Sequence, residues 1–497
     1  MRRVSRRFVL GGALGALACG ARAEAPERSL RPLARPAPVA ARPRGAAGPL
    51  PAELIRSANL GGRVGYVVAD ARTGQVLEAI GGDLAMPPAS TMKIITSLYA
   101  LEHLGADHRF ATRLVATGPL RGSRIDGDLV LAGGGDPVLS TDALGDMAAA
   151  LRRAGVGGAS GRFLVWGGAL PFLPAIDRSQ PEWLGYNPAV SGLNLNFNRV
   201  NFVWKRSGHD YALAMDARDR RFAPPVYSAR IRAVERERPV YDRAERGGVE
   251  EWTVARRALG SGGSRWLPVR RPDLYAGDVF QTLARAEGVP LPAPQPIAAL
   301  PGGTVLVDHR SEPLRPVLRD MMRYSTNMTA EAVGMAASTR LGAASHLGSA
   351  RAMSDWISRA AGLSGARLVD HSGLGAASRL SAADMVQVLV RLGPQAGLRG
   401  LMKPVVLKDA GGGRAAGALP KVDAKTGTLN FVSALAGYAS LPGGRELAFA
   451  IFTADVARRD AVAPGERERP AGSDAWVRRS RALQQQLVAH WAAVHAG

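Results

Sequence analysis

Residues 86–105 read MPPASTMKIITSLYALEHLG, and the tetrapeptide Ser90-Thr91-Met92-Lys93 inside them decides how the rest of the chain is read. Pro87-Pro88 precedes a predicted helix from Ser90. On a helix, residues i and i+3 lie side by side on one face, so the Ser and the Lys can form a nucleophile–base pair. Composition sharpens the signal. The chain carries 64 Lys plus Arg but only six lysines, at 93, 205, 403, 408, 421 and 425. Arg stays charged, whereas Lys can lose its proton when its surroundings lower its pKa. None of the other five lysines has a Ser three residues before it. Taken alone, the pattern also describes a helix-capping Ser beside a surface Lys.

Later motifs change that balance. Ser325-Thr326-Asn327 opens a helical stretch in MMRYSTNMTAEAV, and Lys425-Thr426-Gly427 is the only KTG, at the head of a predicted strand in VDAKTGTLNFVSALAGYASL. Ser57-Ala58-Asn59 is a second SxN, but it precedes the nucleophile. SxxK, then SxN, then KTG, in that order, resembles the penicillin-recognising serine enzymes. More than two hundred residues separate Lys93 from Ser325. That insertion resembles the low-molecular-mass class C penicillin-binding proteins, the D-alanyl-D-alanine carboxypeptidase/endopeptidase family. Further family-like strings are LVLAGGGDP at 129–137, AVSGLNLNFN at 189–198 and Asp370-His371-Ser372-Gly373-Leu374, and the likeness runs over about residues 55–460. Two places depart from the family. The Asp that often follows the strand reading Phe163-Leu164-Val165-Trp166-Gly167, thought to help bind the peptide stem, is absent. The stretch Pro404–Gly411 before KTG is looser than the family pattern.

The resemblance implies an α+β fold: an antiparallel sheet flanked by helices, with a large, mostly-β insertion. The boundaries expected are a peptidase domain at 51–106 and 304–497, and inserted β-rich domains at 107–303 with a nested unit at about 200–275. It also implies roles. Ser90 is the acylated nucleophile and Lys93 its base. Ser325 relays a proton to the leaving amine, and Asn327 holds the acyl-side amide. Lys425 and Thr426 bind the substrate's terminal carboxylate, Gly427 allows close approach, and the backbone N–H groups of Ser90 and Thr428 form the oxyanion hole. For Lys93 to be half neutral at pH 7 its pKa must fall from about 10.4, at a cost of roughly 4 kcal/mol. Burial and a second cation, Lys425, would push it that way. The implied activity is a serine-type DD-peptidase acting on D-Ala-D-Ala termini or D-Ala cross-links, with peptidoglycan stems as substrates and β-lactams as covalent ligands. A β-lactamase of the same fold and a non-catalytic cell-wall-binding module are the alternatives. No metal or organic cofactor is implied.

Other signals are consistent with this reading. The formal charge is +22; residues 1–50 hold ten Arg and two Glu, +8, leaving +14 for the rest. That surplus suits a carboxylate-rich polymer. The Arg residues are scattered and not interleaved with aromatics, which excludes a nucleic-acid-binding face. His371 reads as structural, and no HExxH, Walker or GxSxG motif occurs. Arg2, Arg3, Arg6 and Arg7, the short apolar run Phe8–Ala18 and Ala21-Arg22-Ala23 make residues 1–23 a signal peptide resembling the twin-arginine type, and hence predict a periplasmic protein. Ala16-Leu17-Ala18-Cys19 as a lipidation site, giving a membrane-anchored form, is the competing reading. A Pro/Ala/Arg-rich linker follows over 24–50.

Overall fold

A computed structural model of the chain describes residues 49–407 and 420–495, which belong to one compact unit. The expected signal peptide with Cys19, nearly all of the 24–50 linker, and Lys408–Gly411 lie outside the described residues.

The two ends of the sequence build one sheet. Arg63–Asp70 pairs antiparallel with Val76–Ile80, and its other edge pairs antiparallel with Glu446–Ala454 near the C-terminus. The six strands run Lys403–Val405, Lys421–Leu429, Val432–Ser440, Glu446–Ala454, Arg63–Asp70, Val76–Ile80, and all neighbours are antiparallel. Helices cover both faces, which is why the strands read as nearly unbroken apolar runs such as ELAFAIFTA. Successive side chains point to opposite faces. Val67, Ala69, Ala450 and Phe452 meet the helices Met92–Leu104, Leu314–Tyr324, Asn327–Thr339, His346–Ala361 and Ala382–Arg391. Tyr66, Val68, Phe449 and Ile451 meet the helices Pro51–Ala58 and Ser473–His495, where Trp476, Leu487 and Trp491 are fully buried. The helix Ala382–Arg391 was not foreseen, although its capping box, Ser381 with Asp384, is written in the sequence.

The insertion contains more helix than its sequence texture suggests. Its five-stranded sheet runs Pro294–Pro296, Phe163–Trp166, Leu129–Gly133, Ala111–Ala116, Thr304–Arg310. Leu129–Gly133 and Phe163–Trp166 are parallel neighbours, as are Phe163–Trp166 and Pro294–Pro296. Parallel neighbours need a crossover, usually helical. The helices Thr141–Arg153 and Pro272–Ala286 provide one for each pair, burying Leu144, Met147, Val279 and Phe280 against the sheet. Thr304–Arg310, expected to open the returning half of the peptidase domain, pairs instead with Ala111–Ala116 of this sheet. Between 199 and 268 the chain forms two three-stranded sheets. Among the described residues no helix is long and apolar enough to cross a membrane.

Candidate active site

Ser90 does not begin an α-helix. It sits in a 3-10 turn, Ala89–Thr91, and the α-helix starts at Met92. Ala89 adopts φ +46°, a left-handed conformation that costs a non-glycine residue about 1 kcal/mol or more. The turn is held by Thr91, whose N–H and hydroxyl both donate to the Pro88 carbonyl, at 3.2 and 2.6 Å. This strained step turns the Ser90 hydroxyl out of the helix axis while Lys93 stays one turn behind it, 0% exposed. The Lys93 Nζ donates to Ser90 Oγ at 3.0 Å, to Asn327 Oδ1 at 2.7 Å and to the Ser372 carbonyl at 2.8 Å. An ammonium has three donors and here all three are used. Two partners are oxygens that can only accept. When Lys93 is neutral they keep its two N–H groups and leave its lone pair on Ser90 Oγ, the geometry of a base.

Ser325 lies in the turn between Leu314–Tyr324 and Asn327–Thr339, also left-handed at φ +59°. Its Oγ accepts from Lys425 Nζ at 2.9 Å, and Lys425 also donates to the Thr426 carbonyl at 2.7 Å. Asn327, first residue of its helix, donates through Nδ2 to the Tyr186 carbonyl at 3.0 Å, which orients Oδ1 toward Lys93. Strand Lys421–Leu429 is covered by Lys403–Val405 only as far as Ala424, so among the described residues no strand covers its outer edge from Lys425 to Leu429. A Cβ on Gly427 would sit 3.0 Å from the Ser90 nitrogen and 3.0 Å from the Ala89 Cβ, so only glycine lets this edge reach the nucleophile. Thr428 lines the cavity beside Ser90, its Oγ1 accepting from Arg481 Nη2 at 3.0 Å. Thr426 is half-buried and is not among the cavity-lining residues.

Burial brings the Lys93 pKa down to about 7, against the opposing charges of Asp370 and Glu331. Of the two causes expected from the sequence, burial and Lys425, burial is the larger, and the repulsion between the two ammonium groups is felt at Lys425. Burial first, then Lys93 and Lys403, brings Lys425 to about 6.

A cavity of about 510 Å³ opens in front of Ser90, Ser325, Asn327 and Thr428. Its remoter wall comes from Gln180 and Tyr186 of the insertion and from Arg459, Glu468 and the start of the C-terminal helix. Arg459 is only 9% exposed, and among the described residues its guanidinium makes no hydrogen bond or close ion pair, although it feels the charges of Asp177 and Asp460. Nothing in the residue pattern assigns a role to Arg459, Tyr186 or the Ser372 carbonyl. The string Asp370–Leu374 did hint at the last. Gly373 takes φ +76°, and a Cβ on it would lie 1.9 Å from the Ala89 carbonyl oxygen, so the segment must press on the nucleophile turn. His371 is structural: fully buried, with Nε2 on Ser349 Oγ at 2.7 Å, it is pushed down to about 4 by burial. The strings at 129–137 and 189–198 form a joint with each other, Gly135 N–H donating to the Gly192 carbonyl at 2.7 Å. Gly167, where the family's stem-binding Asp was sought, belongs to the same joint, its carbonyl accepting from Gly192 N–H at 2.8 Å.

Comparison with known proteins gives the chain a family and its fold relatives. The model of the D-Ala-D-Ala carboxypeptidase 3 (S13) family matches residues 52–474. The chain is 29% identical over 442 residues to a D-alanyl-D-alanine carboxypeptidase of Actinomadura sp. strain R39, covering 80% of each. It is 30% identical over 421 residues to the carboxypeptidase Rv3627c of Mycobacterium tuberculosis, covering 79% of this chain and 76% of that one. The fold matches the crystal structure of penicillin binding protein 4 (dacB) from Haemophilus influenzae, with TM-score 0.70, 19% identity and coverage of 88% of this chain and 99% of that one. A second structure of that protein, complexed with a β-lactam, matches over the same shares with TM-score 0.68 and 20% identity. The chain therefore belongs to the D-Ala-D-Ala carboxypeptidase 3 (S13) family and is a serine-type DD-peptidase.

Proposed function

We propose that the chain acts in the periplasm, hydrolysing the terminal D-Ala-D-Ala bond of peptidoglycan stems or D-Ala cross-links through an acyl-enzyme on Ser90, and that β-lactams acylate the same hydroxyl. The observation that carries this reading is the paired contact: Lys93 Nζ 3.0 Å from Ser90 Oγ, and Lys425 Nζ 2.9 Å from Ser325 Oγ. Neutral Lys93 takes the Ser90 proton as Oγ attacks the carbonyl carbon of the penultimate D-Ala. The oxyanion develops toward the backbone N–H groups of Ser90 and Thr428, brought close by Gly427. Ser325 hands a proton to the departing amine, and that proton is made up from the Lys93–Lys425 pair. Water then replaces the amine and hydrolyses the ester. The Haemophilus influenzae relative's structure complexed with a β-lactam supports β-lactams as ligands.

Lys425 and Thr426 receive the terminal carboxylate. An arriving carboxylate favours the ammonium form of Lys425, and that charge disfavours a second ammonium at Lys93. Substrate recognition and base activation are thereby linked. The acyl-donor arm runs the other way, past Thr428 toward Arg459, whose guanidinium, making no hydrogen bond of its own among the described residues, suits a carboxylate on that arm. Export is supported by the signal expected at 1–23.

Two measurements test the reading on wild type and Ser90→Ala: labelling by a fluorescent penicillin, and mass analysis of products from monomeric and cross-linked muropeptides. Wild type should take the label and release D-Ala, and Ser90→Ala should do neither. Labelled Ser90→Ala would overturn the assignment.

A further inference from the structure

Behind Lys93 lies a set of buried ionisable groups that the chemistry above does not use. Glu331 and Asp370 are 0% and 1% exposed. Glu331 is on the helix that begins at Asn327, one turn further along and so on the same face. Its carboxylate accepts the His371 N–H at 3.1 Å and the Ser372 N–H at 2.9 Å, and pairs with His346 Nε2 at 2.8 Å. Ser372 is the residue whose carbonyl holds a Lys93 proton at 2.8 Å. One carboxylate therefore fixes the peptide segment that orients the base, from the same helix whose Asn327 supplies the second orienting oxygen.

We propose that Glu331 is a positioning residue for the base: it locks the Ser372 carbonyl against Lys93 and sets, with His346 as its counter-ion, how tightly Lys93 holds its proton. The proposal rests on the reading of Lys93 as base. The groups that bear on Lys93 come from every element around it. Glu331 lies on its own helix, His346 on His346–Ala361, Asp370 and His371 on the 370–374 segment, and Lys425 on the KTG strand. Negative charge at Glu331 and Asp370 favours the ammonium. His346, only 16% exposed and held up by Glu331, offsets that charge. His371 is kept neutral by burial. Asp370, raised to about 7 by burial and by Glu331, ionises more readily once Glu331 is neutralised and returns part of the lost charge. Glutamine at 331 keeps the size but turns an amide donor toward two N–H donors, so the Ser372 carbonyl loosens as well.

Two substitutions should then move the base in opposite directions. Glu331→Gln removes a carboxylate and lowers the proton affinity of Lys93. His346→Gln leaves the carboxylate unbalanced and raises it. The experiment follows the rate of acylation by a fluorescent penicillin from pH 5 to 9 on the full chain. It compares wild type, Glu331→Gln, Glu331→Asp and His346→Gln. Wild type should show an acid limb near pH 7. Glu331→Gln should shift the limb down by roughly half to one pH unit and lower the plateau about tenfold. His346→Gln should shift it up, and Glu331→Asp should restore the wild-type limb. A purely structural role would reduce the amount of active protein without moving the limb both ways. Should Glu331→Gln fail to fold, His346→Gln decides alone, and a limb unmoved or lowered in it overturns the proposal. A wild-type limb near pH 7 that neither variant moves overturns this proposal only. A wild type with no such limb overturns the base assignment and the proposal together.

Discussion

Lys93 is poised as a base because two of its three polar neighbours are carbonyl oxygens and only one is a hydroxyl. With its pKa brought to about 7, the fraction of neutral amine, and with it kcat/KM, should rise through that pH. In the substrate complex the carboxylate holds Lys425 as an ammonium and so pushes Lys93 further toward the neutral form. The acid limb of kcat should therefore lie at lower pH than that of kcat/KM. With stems ending in a C-terminal amide the two limbs should coincide, and steady-state kinetics from pH 5 to 9 checks this. At the opposite end of the cavity, Arg459→Met should lower kcat/KM by roughly 10- to 100-fold for stems bearing a free carboxylate on the acyl-donor arm. Amidated stems should be unaffected, and parallel assays of the two series measure the difference. Ser90 and Lys93 were legible from their three-residue spacing once SxN and KTG followed in order, although Ser90 sits in a 3-10 turn ahead of the helix. The Ser372 carbonyl was not, because a backbone oxygen carries no residue type. Arg459 was not, because it is one of 58 arginines, 64 basic residues less six lysines, and only its burial beside the cavity singles it out.

The KTG strand and the nucleophile turn touch through a glycine. Gly427→Ala should displace the strand from Ser90, because the new methyl would meet the Ser90 nitrogen and the Ala89 Cβ at 3.0 Å. The two sides of the oxyanion hole would separate, so penicillin acylation should fall about 100-fold or more. Because the contact is local, the urea midpoint should shift much less, and kinetics with equilibrium unfolding on the same preparation separates the two effects. Strands of the peptidase sheet were readable as apolar runs, and its helices other than Ala382–Arg391 from period 3.6. The insertion's helices were harder. Thr141–Arg153 reads TDALGDMAAALRR, with Leu144, Met147, Ala148 and Leu151 correctly spaced for one face, but Ala and Gly dilute the stripe. Their necessity comes from the parallel strand pairs, which are non-local and leave no local trace in the sequence.

The insertion is part of the site. Trp183 Nε1 and Arg265 Nη2 donate to the two oxygens of Glu468 at 2.6 and 2.8 Å, tying the segment that carries Tyr186 to the chain just before the C-terminal helix. Tyr186 in turn receives Asn327. Glu468→Ala should loosen this wall, raising KM for stem peptides several-fold while changing the rate of acylation by a small β-lactam little, since the latter needs less of the cavity. Paired stem-hydrolysis and penicillin-labelling assays check it. The order SxxK, SxN, KTG, through the family it resembles, and the apolar strand runs were enough to point to the reaction class and the antiparallel sheet, because both are carried by residue type within short local segments. Three things were decided only in three dimensions. Thr304–Arg310 joined the insertion's sheet through hydrogen bonds to a strand almost two hundred residues earlier. The proton balance between Lys93 and Lys425 followed from their burial and mutual repulsion. The wall facing Ser90 was assembled from segments near 180, 460 and 475. Each depends on which distant groups are brought together and dried, and a linear order of residues does not encode that locally.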